Sequence, residues 1–380
     1  MKKIWCLASI LVLIAGVFTA CGQNNQLETQ VISNMDKEYY SQLAEEGVEI
    51  NVANWGEYIS DGSDGESINV VKAFELLTGI KVNYINYATN EELYAKMKAG
   101  ASNYDIIIPS DYMISKMAGE NMLAHIDFNN IPNYNNISDD YKGLEFDPED
   151  KYSVPYFWGT VGIIYNKNVI KDDNFDWEIL WDEKYKDNML MFDNPRDAFA
   201  IAQIRLGYSL NTEDTKELEK TAELLKEQKG LVQAYVMDEI FDRMGAEEAV
   251  VAPYYAGDAV SLMAEYDFLG FKVPDSGTNM FVDSFCIPAT SKNKKAAEMF
   301  INFMLEPEIG LANTEFVCYS TPNTKTYELL SDQVKNDGIS YPSKEYLNSK
   351  TEAFKCLGSG VDKVMSELWT EIRSEVNIDL

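Results

Sequence analysis

The feature that most restricts the fold of this chain is a regular alternation of strand-like and helix-like segments from residue 49 onward. Runs of β-branched and aromatic residues predict strands over 49–55, 80–87 and 104–108. Amphipathic segments over 66–78 and 91–99 predict the two helices between them. Successive strand–helix–strand units form parallel sheets with right-handed crossovers, so we expect an α/β fold.

Polar and aromatic residues follow each of the three predicted strands. In an open parallel sheet, ligands bind just outside the carboxyl ends of the strands. We therefore expect the three groups to lie together on one rim of the sheet. The groups are Trp55-Gly56-Glu57-Tyr58, Ala88-Thr89-Asn90 and Pro109-Ser110-Asp111-Tyr112.

The net charge of the chain narrows the choice of partner. With 62 acidic and 32 basic side chains among 380 residues, the formal charge is -30. Electrostatic repulsion argues against nucleic acid and anionic lipid headgroups as ligands. The single histidine, His125, excludes a His-rich zinc site, and we predict neither a metal nor a cofactor. Acidity combined with 23 tyrosines and 6 tryptophans indicates a cationic partner.

The remainder of the chain predicts a second α/β unit. A length of 380 residues is sufficient for two domains with separate cores. Residues 127–151 are rich in Asn, Asp and Pro and predict an irregular connection, after which an apolar strand is predicted at 154–165. Further strands are predicted at 248–255 and 281–287, and further helices at 212–229, 295–305 and 360–374.

The first twenty residues have the pattern of an export signal. Two lysines precede an apolar run over 4–20, and small residues stand directly before Cys21. The segment resembles the signal of bacterial lipoproteins, whose cysteine is lipidated after cleavage, although Phe18 replaces the usual Leu. We therefore expect a signal peptide over 1–20, a lipid-anchored tether over 21–45, and a location on the extracytoplasmic face of the membrane. A plain secretory signal is the alternative.

Motifs for catalysis are weak in this sequence. Residues 61–66 are rich in Asp and Gly but lack the ligand spacing of an EF-hand loop. Residues 291–294 match the S-x-x-K spacing of penicillin-recognising enzymes, but the companion motifs are absent. We predict no enzymatic activity, although a glycosidase-like carboxylate pair stays open in so acidic a chain. The cysteines after the signal imply no disulfide framework but leave one bridge open; they are Cys286, Cys318 and Cys356.

Six motifs together resemble the spermidine/putrescine-binding proteins of polyamine ABC importers. They occur in the order and with the spacing of that family between residues 49 and 375. The motifs are Trp55-x-Glu57-Tyr58, Ile108-Pro109-Ser110-Asp111-Tyr112, Val154-Pro155-Tyr156-Phe157-Trp158-Gly159, Tyr255-Ala256-Gly257-Asp258, Phe281-Val282-Asp283-Ser284 and Tyr319-Ser320-Thr321-Pro322-Asn323.

The resemblance implies a periplasmic-binding-protein type II fold, in which two α/β lobes joined by crossing strands close over one ligand. We assign 46–153 and 282–320 to the first lobe, and 154–281 and 321–380 to the second. The implied function is the capture of a polyamine, putrescine ahead of spermidine, and its delivery to the permease of an ABC transporter. We expect the protein to be a monomer.

The resemblance also assigns the ligand-binding residues. Aromatic rings are expected to stack on the methylene groups of the polyamine, and carboxylates to receive its ammonium groups. Glu57 is expected at the rim, as a contact or as a brace. Asp197 either contacts the ligand or belongs to the cap of a helix that begins after Asn194. The remaining assigned residues are Trp55, Tyr58, Ser110, Tyr112, Tyr255, Asp258, Phe281, Asp283 and Tyr319.

This chain departs from the family pattern at several positions. Many members have Ser or Thr where Gly56 stands, and spermidine-preferring members have Asp and Glu in place of Asn194 and Asp197. Lys355 stands where Gln is common, and a cation there would oppose a third ammonium group and so favour a diamine. Two alternatives remain open: a receptor of the same fold for another small solute, such as an amino-acid derivative or oligosaccharide, and a carboxylate-dependent hydrolase.

Overall fold

The structure is a computed structural model that describes residues 25–374. The strands in this range are β1 (Glu49–Trp55), β2 (Lys81–Tyr87), β3 (Ile106–Ile107), β4 (Ser153–Asn166), β5 (Met189–Phe192), β6 (Val232–Val236), β7 (Val251–Tyr255), β8 (Leu269–Lys272), β9 (Thr278–Cys286) and β10 (Thr351–Glu352). They pair in the order β2-β1-β3-β9-β4-β7-β5-β6, with β10 beside β9 and β8 beside β4.

Fifteen α-helices surround the strands in the described part of the chain. They are α1 (Gln26–Val31), α2 (Lys37–Tyr40), α3 (Val70–Thr78), α4 (Asn90–Lys98), α5 (Asp111–Gly119), α6 (Pro195–Leu206), α7 (Thr215–Lys229), α8 (Ile240–Gly245), α9 (Ala256–Glu265), α10 (Lys294–Met304), α11 (Pro307–Val317), α12 (Thr324–Leu329), α13 (Asp332–Lys335), α14 (Lys344–Lys350) and α15 (Ser359–Ser374).

The first half of the sheet has the parallel arrangement that the sequence predicted. β1 lies between β2 and β3 and is parallel to both, with α3 and α4 as the crossover helices. Helix α3 begins after Asn69, whose side chain accepts a hydrogen bond from the Lys72 N–H. It ends at Gly79, whose φ of 75° is a left-handed conformation that glycine adopts without steric cost.

The second half also contains parallel strands, of which the sequence predicted only some. β5 is parallel to both β6 and β7, and β4 and β8 complete this half in antiparallel pairing. The expected strand at 248–255 corresponds to β7, whereas β5 and β6 were not predicted. Both are short, and their apolar residues are too few to show a period.

Two long strands connect the halves. β4 and β9 are antiparallel, with a register that runs from Ser153 opposite Cys286 to Thr160 opposite Met280. Beyond Thr160, β4 continues along β7 and β8, while the far end of β9 pairs with β3. Every residue of β4 is buried, which explains its continuous apolar sequence.

Each half has its own hydrophobic core. One cluster contains Phe74 and Phe300, and a second contains Trp177 and Phe199, all almost completely buried. The predicted residue boundaries of the lobes stay a prediction. Because Asn323 donates a hydrogen bond of 2.9 Å to the Leu305 carbonyl, we propose that the first lobe extends past residue 320 into α12.

The N-terminal part of the described chain is folded onto the first lobe. Tyr40 is completely buried and its hydroxyl donates a hydrogen bond of 2.7 Å to Glu306. Glu28 in α1 accepts a hydrogen bond from the Asn69 N–H next to α3. The tether was expected over 21–45, and because Glu28 and Tyr40 pack against the lobe, we propose that it is shorter than that. The predicted signal peptide and Cys21 lie outside the described residues.

Three further observations complete the fold. Residues 127–151 contain three short 3₁₀-helices, in keeping with the irregular connection that was predicted. Cys286 and Cys356 are free thiols, so no bridge forms among the cysteines that the structure describes. Within residues 25–374, none of the helices has the length and apolar character that a membrane span requires.

Candidate functional site

A cleft lies between the two halves, at the carboxyl ends of the parallel strands. Its volume is about 730 Å³, including the space at its mouth. The three residue groups that follow β1, β2 and β3 all contribute to it, which confirms that they share one rim. The lining residues are Trp55, Gly56, Tyr58, Tyr87, Ala88, Asn90, Ser110, Tyr112, Asn194, Asp197, Met237, Asp238, Tyr254, Tyr255, Asp258, Asn279, Phe281, Asp283, Tyr319 and Phe354.

Asp283 is a buried carboxylate of the cleft, and both of its oxygens accept hydrogen bonds. It lies within β9 and only 4% of its surface is exposed. Its Oδ1 accepts a hydrogen bond of 2.6 Å from the Ser110 hydroxyl, and its Oδ2 accepts one of 2.7 Å from the Tyr58 hydroxyl. Burial raises the pKa of Asp283 to about 6, and these two hydrogen bonds oppose the increase. Among residues 25–374, no lysine or arginine lines the cleft to balance the charge on Asp283.

Asp197 is a second buried carboxylate, on the first turn of α6. It accepts hydrogen bonds from the Tyr255 hydroxyl at 2.7 Å and from the Asn194 amide at 2.8 Å. Burial raises its pKa to about 7, and the Tyr255 hydrogen bond opposes that shift. Asn194 also caps α6, so Asp197 takes part in the helix cap and lines the cleft at the same time, while its contact with the ligand stays a prediction.

Asp258 is the third of the predicted carboxylates, and it lies on the first turn of α9. It accepts a hydrogen bond of 2.9 Å from the Tyr319 hydroxyl. The N-terminal turn of a helix favours negative charge, because its N–H groups and the helix dipole point toward the carboxylate. The position of Asp258 therefore supports its ionised form.

Aromatic rings form the walls between these carboxylates. Phe281 makes edge contacts with Tyr255 and Tyr319 at centroid distances of 5.5 and 6.2 Å. Trp55 packs against Tyr87 at 4.8 Å, and its indole N–H donates a hydrogen bond to the carbonyl of residue 108. The rings are held by edge contacts and hydrogen bonds, so they are in place before a ligand arrives.

Two glycines allow these rings to approach the backbone. A Cβ atom at Gly257 would lie 2.3 Å from Tyr319 Cδ2, and one at Gly159 would lie 2.8 Å from Phe281 Cζ. Neither glycine has a positive φ, so the need is for space and not for an unusual backbone conformation. Each glycine lies within one of the six motifs, which gives that part of the motif a steric reason.

Comparison with known proteins identifies the family. The profile of the bacterial extracellular solute-binding proteins matches residues 101–350. The spermidine/putrescine-binding periplasmic protein of Salmonella typhimurium is 35% identical over 297 residues, which are 78% of this chain and 83% of that protein. The chain belongs to this solute-binding family.

Solved structures agree with the assignment. A protein of a spermidine/putrescine ABC transporter from Listeria monocytogenes has a TM-score of 0.81 and 37% identity, over 86% of this chain and 99% of that one. A lipoprotein of Treponema pallidum has a TM-score of 0.75 and 27% identity, over 86% and 100% of the two chains. The expected two-lobed fold of this solute-binding protein is thereby confirmed, and the crossing strands are β4 and β9.

The family also decides between the broad functional classes. Its members are solute-binding proteins and not enzymes, so the hydrolase alternative is wrong. The family is extracellular, which places the solute-binding protein outside the cytoplasm. No group of side chains in residues 25–374 has the composition and geometry of a metal site.

The cleft of the solute-binding protein brings together ten of the eleven residues that the sequence assigned to ligand binding. Glu57 is the exception, because it lines a neighbouring groove on the outer side of Trp55 and Tyr58. Lys355 does not line the cleft either, since it is exposed and forms a 2.9 Å ion pair with Glu145. The position of Lys355 therefore gives no support to the expectation that it opposes a third ammonium group.

Sequence reasoning missed several lining residues of this solute-binding protein. Tyr87 is the last residue of β2, and Asn90 belongs to the group after β2 that was expected on the rim, but neither was assigned to ligand binding. Asn90 holds the site together, because its amide donates to the hydroxyls of Ser110 and Tyr112 at 3.1 and 3.2 Å. Asp238 and Phe354 follow β6 and β10, two strands that the sequence did not reveal.

Proposed function

We propose that this protein captures a polyamine, with putrescine ahead of spermidine, and delivers it to the permease of an ABC transporter. The observation that supports the proposal is the composition of the cleft. Three carboxylates, Asp197, Asp258 and Asp283, lie among aromatic rings, and no lysine or arginine of residues 25–374 lines the cleft. Relatives named for spermidine and putrescine share the family fold, and both of these ligands match this chemistry.

The chemistry of a polyamine matches this arrangement. A diamine has a cationic group at each end and an apolar chain between them. Each ammonium group can donate charge-assisted hydrogen bonds to carboxylates such as Asp258 or Asp283, and can lie over an aromatic face for ~0.5–2 kcal/mol. Burying four methylene groups contributes on the order of 3 kcal/mol at ~0.8 kcal/mol each. A neutral sugar or a carboxylate ligand would leave the acidic side chains without compensation.

We also propose that the mature protein is a monomer held at the outer face of the cell membrane by a lipid on Cys21. The sequence around Cys21 and the lipoprotein among the structural relatives support this part of the proposal. Replacement of Cys21 with Ser should release the protein from the membrane fraction of cells that express it. Retention of the variant in that fraction would contradict lipid anchoring at this residue.

A thermal-shift panel tests the proposed ligand. A ligand at 100 times its Kd stabilises the folded state by ~2.7 kcal/mol. For a protein of this size, that corresponds to an increase in Tm of about 3–4 °C. We expect putrescine and spermidine to produce such an increase, and a neutral oligosaccharide and an uncharged amino-acid derivative to produce none. An increase with a neutral solute and none with either polyamine would contradict the proposal.

A further inference from the structure

Asp238 adds a carboxylate to the cleft that the sequence motifs did not indicate. It follows β6, a strand parallel to β5, and so lies at the same rim as the residues that follow β5 and β7. It lines the cleft together with Tyr254 and Asp258 on its own lobe and Trp55 on the other. Its position is therefore at the point where the two lobes face each other.

Gly56 on the opposite lobe gives Asp238 the room it occupies. A Cβ atom at Gly56 would lie 2.8 Å from Asp238 Oδ2, which is closer than side chains tolerate. Gly56 does not have a positive φ, so the missing side chain here provides clearance and does not serve the backbone conformation. The Asp238 carboxylate of the second lobe therefore lies in the space that a side chain at residue 56 would enter.

The charge on Asp238 has no partner among residues 25–374. Its carboxylate accepts no hydrogen bond there and forms no ion pair, and the charged groups that act on it are Glu239 and Glu57. Part of the Asp238 side chain is exposed. Desolvation by the protein packed around its carboxylate nevertheless raises its pKa, and the negative charges of Glu239 and Glu57 raise it further. A cation at this point would relieve both the desolvation and the repulsion between like charges.

We propose that Asp238 binds an ammonium group of the cationic ligand at the mouth of the cleft, in a space that Gly56 keeps open. The inference rests on the proposed function, since it adds a fourth carboxylate to the polyamine site. An ammonium group has three donors, so it can bind Asp238 while it also contacts another acceptor. Because Asp238 and Gly56 belong to different lobes, the contact between Asp238 and an ammonium group beside Gly56 forms fully only when the lobes close.

Titration calorimetry with putrescine on four proteins tests the inference. The proteins are the wild type, Asp238→Asn, Gly56→Ala and the double variant. Loss of a hydrogen bond to a charged group predicts a Kd about 10- to 100-fold weaker for Asp238→Asn. Gly56→Ala should weaken binding by a similar factor, because its Cβ displaces the carboxylate. The double variant should be no weaker than Asp238→Asn, because both changes remove one contact.

Glu239→Gln is the matched control. It removes the same charge at the adjacent residue, and Glu239 does not line the cleft but accepts a hydrogen bond from the Met237 N–H, which Gln can also accept. We expect its Kd to stay within about 2-fold of the wild type. An equal loss of affinity in Glu239→Gln would show that the ligand responds to the overall negative charge near the cleft and not to contact with Asp238, and it would overturn the inference.

Three other outcomes would overturn it. Unchanged putrescine affinity in Asp238→Asn would remove the residue from the site, and tighter binding would show that its carboxylate opposes closure. Calcium binding that depends on Asp238, with putrescine affinity unaffected, would assign the carboxylate to a metal ion instead. Failure of the wild type to bind any polyamine would contradict the proposed function itself, whereas binding that ignores Asp238 contradicts only this inference.

Discussion

Replacement of Asp283 with Asn should abolish polyamine binding and, at the same time, stabilise the ligand-free protein at pH 7. The side chain is 4% exposed and its pKa is raised to about 6 because burial disfavours the charged form. The fold therefore tolerates the ionised carboxylate less well than the unfolded chain does. Asparagine has nearly the same shape without the charge, so it should remove this cost together with the ligand contact.

The magnitude follows from the pKa shift. The pKa rises from 3.8 to about 6, and each unit corresponds to about 1.4 kcal/mol, so ionisation of Asp283 costs the fold on the order of 3 kcal/mol. Ser110 and Tyr58 both donate to this side chain, and one hydroxyl must rotate to accept from the new amide. We therefore expect a gain of about 1–3 kcal/mol, or an increase in Tm of about 1–4 °C.

The gain should depend on pH in a defined direction. Because the folded pKa lies above the unfolded one, the wild type has its full stability below pH 4 and loses this contribution as the pH rises through 6. Thermal unfolding of wild type and Asp283→Asn between pH 4 and 8 should give curves that meet near pH 4 and separate above it. A variant that is equally destabilised at both ends of this range would refute the reasoning.

Asp147→Asn is the control for burial alone. Asp147 is also 4% exposed, but it lies away from the cleft and accepts hydrogen bonds from the backbone N–H groups of Lys151, Tyr152 and Ser153. An amide group cannot accept all of these bonds. We expect a loss of about 1–3 kcal/mol with putrescine affinity unchanged.

Three further predictions concern the same cleft. The pKa values of Asp283 and Asp197 are raised to about 6 and 7, so putrescine affinity should fall as the pH drops below 7. Binding should also release protons, which calorimetry in buffers of different ionisation enthalpy would detect. Gly257→Ala should cost about 1–3 kcal/mol and weaken binding, because the new Cβ overlaps the Tyr319 ring. Gly360→Ala in α15, where a Cβ meets no atom, should instead be neutral or stabilising by up to ~1 kcal/mol.

The part of the fold that could be predicted from the sequence is the part with strong local periodicity. The strand at 49–55 and the long buried strand at 154–165 match β1 and β4 to within a residue or two, because β-branched and aromatic residues recur along each of them. The two N-terminal helices were taken for a tether. Their apolar residues are few, and the burial of Tyr40 depends on tertiary contacts, among them those with Phe303 and Glu306, more than 200 residues away.

The candidate site shows the same division. Residues after the predicted strands, such as Trp55 and Ser110, could be placed on one rim by the geometry of parallel sheets, and the motif resemblance supplied Asp283 and Tyr319. Neither the sheet geometry nor the motifs selected Asp238, because it follows a strand that was not predicted and matches none of the six motifs. Its significance depends on its approach to Gly56 across the cleft, where a Cβ atom would lie 2.8 Å from Asp238 Oδ2, and no pattern within one segment contains that information.

The absence of a cation from the lining of the described cleft also predicts how ligand and closure are coupled. Closing the lobes around ionised Asp238 and Asp283 removes water from charges that no cation of the cleft lining balances, which costs several kcal/mol per ion unless a cation enters. To shift the protein from 1% to 99% closed, a ligand must bind the closed state about 5.5 kcal/mol more tightly than the open state. A polyamine would gain this difference by neutralising the carboxylates. The variants Asp238→Asn and Asp283→Asn, which carry fewer charges, should therefore close more readily without ligand and show a smaller radius of gyration in small-angle scattering than the ligand-free wild type. If the radii agree and only the wild type contracts with putrescine, ligand contacts across the cleft, and not relief of charge, drive the closure.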